Sequence, residues 1–178
     1  MKGKEIFLFF SLKNNRILKN MLFLLATPEY NAIQSNTTKV KVHLRSGVAE
    51  ILEQHQDLMG KVENNIIEIE TNSDNKIEKV LYVLQDAVFV VSNQGLDSTL
   101  ENQGTGVYVY AKRAKVINSS VSIDLVSKEF EQKTNELEAE RAKITDTVDQ
   151  VLTSKVILLE DEIEFLKKVV LVVKELKS

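Results

Sequence analysis

Thr38-Lys39-Val40-Lys41-Val42-His43-Leu44 alternates its side chains with a period of two. Val40, Val42 and Leu44 fall on one side of an extended chain, and Lys39, Lys41 and His43 on the other. That is the pattern of a strand with one buried and one wet face, and it makes His43 a solvated sheet residue. Working outward, the runs 21–26, 66–70, 77–84, 87–91 and 107–111 are rich in β-branched and aromatic residues and also read as strands. Asn72-Ser73-Asp74-Asn75 and residues 94–106 supply turn and loop chemistry between them. Short strands at this spacing predict a β-sandwich or barrel over 21–117.

The rest of the chain has a different texture. All six glycines (3, 47, 60, 95, 104 and 106) and the single Pro28 lie at or before position 106, so nothing in the last 72 residues breaks a helix. The predicted fold class is therefore α+β: an N-terminal antiparallel β-sandwich or barrel followed by a helical hairpin over 118–178. Ser120 or Ser122 is placed to cap the first helix. Phe130, Leu137, Ile144 and Val151 recur every seven residues as a packing stripe, and Glu129 with Lys133 has the spacing of an i,i+4 pair. A second stripe runs through Leu159, Ile163, Leu166, Val170 and Val173. The run 169–173 has strand-like propensity, but its amphipathic, breaker-free context favours helix. A looser stretch at 145–154 is where the helices part.

Composition excludes several classes of function. The chain has 178 residues, 43% hydrophobic and 28% charged, enough for one modest core. With no cysteine there is no disulfide, thiol nucleophile or cysteine zinc site. A net charge of −3 gives no general attraction to nucleic acid, and no apolar run reaches the roughly 20 residues of a membrane-spanning helix. Residues 1–20 carry five cations against Glu5, a net +4 that leaves −7 for the rest of the chain. This segment reads as a plain N-terminal extension, with a targeting presequence or a basic arm as the alternatives.

Nor does a catalytic constellation emerge. Gly104-Thr105-Gly106 lacks the lysine of a phosphate-binding loop, and His43 and His55 are twelve positions apart, unlike the helical pair of a zinc protease. Glu160-Asp161-Glu162 and Glu164 read as a solvated helix face. No cofactor, no metal and no independent enzymatic activity are expected.

Several segments, in order, resemble the epsilon subunit of bacterial and plastid F-type ATP synthases, called delta in mitochondria. Met21-Leu22-Phe23-Leu24-Leu25-Ala26-Thr27-Pro28-Glu29 is similar to the family's opening strand and its Thr-Pro-Glu turn. Gly47-Val48-Ala49-Glu50-Ile51-Leu52-Glu53-Gln54-His55-Gln56-Asp57-Leu58 is similar to a family loop in which Gly precedes Ile-Leu, a turn and His. Residues 107–114 resemble the last strand and 124–143 the helix after it. The resemblance spans about 21–145. There are departures too: Glu53-Gln54 stands where the family has Pro-Gly, and Glu50 where Gly is common. Ile123-Asp124-Leu125-Val126-Ser127-Lys128 keeps Ile and Asp of an ATP-binding motif but lacks its Arg and Ala.

The resemblance implies a non-catalytic central-stalk subunit that joins the gamma shaft to the membrane rotor ring. Its other neighbours would be the alpha and beta subunits, and restraint of ATP hydrolysis by its helices is a further role the resemblance implies. It implies Gly47, Glu50, Ile51, Leu52 and His55 as partner-binding residues. Ile51 and Leu52 read equally well as sandwich core, and His55 as a turn-stabilising group. Two other readings stay open: a freestanding β-sandwich scaffold whose seven-residue stripe dimerises as a coiled coil, and the same subunit in an F1-like motor with another task. Lysine supplies 19 of the 23 basic residues, as in AT-rich genomes. The expected location is peripheral, on the cytoplasmic face of a bacterial membrane, with a mitochondrial or thylakoid membrane as the alternative.

Overall fold

Because one face of each alternating strand must leave water, the strands pair into a single continuous sheet. The computed structural model describes residues 20–28, 32–73, 76–93, 104–118, 121–143 and 150–177. Ile144 and Ser120 lie outside them, and of the N-terminal extension only Asn20 is included. The strands are β1 (Met21–Ala26), β2 (Ile33–Thr37), β3 (Lys39–Leu44), β4 (Gly47–Ile51), β5 (Leu58–Val62), β6 (Asn65–Ser73), β7 (Lys76–Ser92) and β8 (Gly106–Ile117). Two helices follow, α1 (Ile123–Ala142) and α2 (Gln150–Lys177), which pack on each other.

The sheet runs β2-β1-β8-β7-β6-β3-β4, with β5 paired to the far half of β7. Every pairing is antiparallel except that of β1 with β8. The two runs expected at 77–84 and 87–91 are one 17-residue strand. Its first half pairs with β6 and its second with β5, while its register with β8 runs through without a shift. At the junction Asp86 takes φ 46° and Asn64, opposite it between β5 and β6, takes φ 38°. These positive φ values kink the long strands together, and the sheet turns a corner there.

The corner folds the sheet into two facing layers. One contains β2, β1, the first half of β8, the second half of β7, and β5. The other contains the remaining halves of β7 and β8 with β6, β3 and β4. Phe23 of one layer stacks on Tyr82 of the other, with ring centroids 5.9 Å apart. Phe23, Leu25, Phe89 and Val109 share one buried cluster with Val40, Val42, Ile51 and Ile67. His43 is half-buried rather than solvated, its Nε2 lying 2.7 Å from Glu68 Oε1. Sequence patterning did not reveal β2, β4 and β5, short strands of mixed polarity at the sheet's edges.

α2 lies across the outside of the second layer. Phe165, Val169, Val172 and Val173, with Val126 of α1, bury against Val83 and Ile117 and the adjoining Ile66 and Leu81. The run 169–173 is thus helical, since its β-branched side chains gain more from this seat than they lose in helix propensity. Ser122 is the residue before α1, yet its side chain makes no capping hydrogen bond. Glu129 pairs with Lys115 of β8 rather than with Lys133, which turns to Glu136 and Glu162. The acidic run 160–164 is not uniformly solvated: Asp161 is partly buried against the sheet and bonds to Gln85 and Arg113, while Glu164 stays exposed and bonds to Asn64 between β5 and β6.

Away from the sheet, Leu137 packs with Val156 and Leu159. Beside them Glu140 Oε1 accepts hydrogen bonds from Lys155 Nζ at 2.5 Å and Lys143 Nζ at 2.9 Å. The bond from Lys155, helped by Lys143, holds Glu140 below the ordinary carboxylate value of 4.5. A carboxyl more acidic folded than unfolded stabilises above its unfolded pKa, and that contribution disappears as pH falls through the folded one. Moving from pH 7 to pH 3 should therefore loosen the free end of the hairpin, and amide exchange around Leu137 and Leu159 should quicken. In Glu140→Gln that quickening should be smaller, because the group that titrates there is gone. An unchanged acid response in the variant would refute it.

Candidate functional site

Gly47 leaves the two-residue turn Arg45-Ser46 with φ 142°, a backbone state that side chains disfavour, although a Cβ there would meet nothing within 4 Å. It opens β4, whose far end is Ile51. Four strand steps of about 3.4 Å separate the two residues, so Gly47 stands apart from the loop that β4 leads into. Ile51 is fully buried opposite Val40 and belongs to the core. Glu50 is exposed, with its carboxylate 3.8 Å from Lys41 Nζ. Leu52 is 46% exposed. The loop proper is therefore 52–57, and of the five residues singled out from sequence Leu52 and His55 lie in it, with Glu50 close by.

That loop is held by a small polar network. Gln54, at φ 63°, makes the turn without the Pro-Gly pair that the resemblance led us to expect. Its backbone N–H donates to Thr105 Oγ1 at 2.8 Å, and the Thr105 hydroxyl donates to Asn93 Oδ1 at 2.6 Å. Asn93 Nδ2 donates to the His55 carbonyl at 2.6 Å, and the Asn93 N–H to Asp57 Oδ1 at 3.0 Å. His55 N–H donates to Leu52 O at 3.1 Å, and its Nδ1 sits 2.8 Å from Gln56 O. The imidazole thus bonds to its own turn, and Leu52 is presented outward at a fixed position. Asn93 and Thr105 escaped sequence reading, since nothing local links them to residues 38 to 51 positions away.

Beside the loop lies a second feature. The first layer's outer face aligns Leu24, Tyr108, Val90 and Met59 in one cross-strand row, and Ala26, Tyr110, Val88 and Lys61 in the next. Met59 is 72% exposed, Tyr110 48% and Val88 41%. Lys61 is the one charged residue in the strand segments of this layer, in a chain that is 28% charged. Partner-facing surfaces are depleted of charge and enriched in tyrosine and methionine in this way. The clue in the sequence was the unbroken apolar runs 21–26 and 87–91, which lack the alternation of a strand with one wet face.

Of the stripe residues, Leu137 is buried between the helices and Phe130 half-buried, while Ile144 lies outside the described residues. Among the described residues, no helix is long and apolar enough to cross a membrane, and no group of His, Asp and Glu is arranged to hold a metal ion.

No family model matches the chain, and no curated protein matches it in sequence. Solved structures do. A chain in the cryo-EM structure of the Euglena gracilis mitochondrial ATP synthase (OSCP/F1/c-ring, rotational state 1) superposes with a TM-score of 0.52 at 15% identity, over 95% of this chain and 88% of that one. In fold, the chain resembles a chain of a mitochondrial ATP synthase. A chain in the Tetrahymena thermophila mitochondrial ATP synthase central stalk and c-ring aligns with a TM-score of 0.43 at 12% identity, over 84% of this chain and 96% of that one. The second likeness is too weak to bear on the fold. The first bears on the fold alone.

Proposed function

We propose that this chain is the epsilon-type (mitochondrial delta-type) subunit of the central stalk of an F1-type ATP synthase, and that it performs no bond chemistry itself. One observation carries the reading: a two-layer body whose helical hairpin covers one layer, while the other offers a nearly uncharged outer face beside a pinned loop. A subunit that transmits torque needs a broad apolar grip more than a single ion pair, because exposed pairs contribute little and buried aromatic anchors contribute much. The face around Tyr110, Val88 and Met59 meets gamma. The loop 52–57, with Leu52 outward and His55 and Glu50 beside it, meets the polar loops of the membrane ring. The alpha and beta subunits lie around the shaft, and the location is the membrane face that carries the ring. The burial of Leu137 against α2 leaves less of the seven-residue stripe for a dimerising arm, which weighs against the scaffold reading.

The test is native purification of the tagged full-length chain from its own cells. Gamma, alpha, beta and ring subunits should come with the wild-type chain in fixed proportion. Met59→Glu/Tyr110→Glu, at exposed positions that are not cross-strand partners, should lower their recovery at least tenfold while the thermal midpoint stays within about 4 °C of the wild type. Recovery of the wild-type chain alone, or only as a homodimer, defeats the reading.

A further inference from the structure

At the corner of the sheet, three kinked strand segments present polar side chains to a single turn of α2. Gln85 of β7 is only 1% exposed, although it is an amide. Its Nε2 donates to the backbone oxygen of Asp161 at 3.0 Å and to Asp161 Oδ1 at 2.9 Å. Its Oε1 accepts from Arg113 Nη1 at 2.7 Å, and the same guanidinium nitrogen donates to Asp161 Oδ2 at 2.7 Å. Lys112 Nζ reaches Asp161 Oδ2 at 2.6 Å. Three residues along, Glu164 Oε1 accepts from Asn64 Nδ2 at 3.0 Å. Burial opposes the charge on Asp161, but the bonds from Lys112 and Arg113 outweigh it and keep the carboxyl below its ordinary value.

The rest of the seat is very different. Phe165, Val169, Val172 and Val173 meet Val83, Ile117, Ile66 and Leu81, and the helix continues apolar through Val170 and Leu171. Apart from Phe165 this is valine against aliphatic side chains, which attracts with little specification of place: a helix slid by a turn still presents apolar side chains to the sheet. The polar cluster favours one placement, since sliding Asp161 away leaves the buried Gln85 Nε2 without an acceptor and takes the carboxylate from Arg113 and Lys112, a costly arrangement.

We propose that Gln85, Arg113 and Asp161, with Lys112 and the Asn64–Glu164 bond beside them, form a positional key. The key fixes where α2 rests on the sheet and contributes little net stability of its own, because desolvation of its charged groups offsets their attraction. It selects among placements that the apolar seat alone would leave nearly equal. The key concerns the chain's own folding and holds whatever assembly the chain joins.

The chain has no native cysteine, so nitroxides at Val48→Cys and Leu171→Cys, both exposed positions, report one distance between sheet and helix in the full-length protein. With the key intact, the distance distribution should be single and narrow. In Gln85→Leu/Arg113→Met/Asp161→Leu the thermal midpoint should move by less than about 4 °C. Its distance distribution should broaden, or gain a component displaced by roughly one helical turn, about 5 Å. A folded triple variant that keeps the narrow distribution overturns the proposal. Should the triple variant not fold, Asp161→Asn decides, since it keeps an oxygen for Gln85 and removes the charge facing Lys112 and Arg113. A broadened distribution there supports the key; a narrow one, or loss of the fold, overturns it.

Discussion

Val169→Asp should release α2 from the sheet and leave the strands folded. Val169 is completely buried in the cluster between helix and sheet. A carboxylate forced into that place without a partner costs several kcal/mol even after the surroundings relax. The chain can escape this cost by lifting the helix into water. The sheet need not follow, because its inner cluster shares no residue with the outer one. Each 1.4 kcal/mol is a factor of ten in the open population, so opening should rise at least a hundredfold. Trypsin at low concentration, cutting after Lys167, Lys168 and Lys174, reads that population directly. Cleavage at the wild-type rate, or strands that lose amide protection together with α2, would show that the two clusters are one cooperative unit.

How much of this could be read in the sequence depends on how far apart the interacting residues lie. Val40-Lys41-Val42 announced its strand because alternation is local, and the hairpin followed from 72 residues without a breaker. Gln85-Asp86 suggested a gap between two strands. Asp86 does adopt the left-handed backbone that such residues tolerate, but hydrogen bonding to β8 continues past it, and only pairing could reveal that. β2 reads Ile33-Gln34-Ser35-Asn36-Thr37, and nothing in it suggests a strand until β1 lies alongside. β4 was hidden inside the segment 47–58 read as one loop, and β5 begins at that segment's last residue and runs through a stretch assigned no element. The outward position of Leu52 and the buried one of Ile51 were left as equal alternatives by sequence, because a one-residue step changes faces. Asp161 looked solvated on its acidic helix; its partners sit on β7 and β8, 48 to 76 residues earlier.

Gly60→Ala should destabilise the body by about 1–3 kcal/mol, the usual cost of overpacking, and the cause is one aromatic ring. Gly60 pairs with Phe89 across β5 and β7. A Cβ at Gly60 would stand 2.5 Å from Phe89 Cε1 and 2.9 Å from Cζ, well inside van der Waals contact. Phe89 is fully buried and cannot swing aside. Removing the ring is worse: Phe89→Ala should cost about 3–5 kcal/mol through lost burial and the cavity left behind. The informative variant is Phe89→Leu, which withdraws the ring edge from above position 60. In that background Gly60→Ala should cost at least about 1 kcal/mol less than in the wild type, a coupling within the range seen for touching residues. Urea unfolding of the four proteins in the cycle measures it, and additive costs would mean that the strand rather than the ring yields. The consequence reaches the outer face, because Met59 and Lys61 flank Gly60 and point the opposite way. The close approach over Phe89 sets how flat β5 lies beside β7, and so whether Met59 stays level with Val88 and Tyr110 on the surface proposed to grip the shaft.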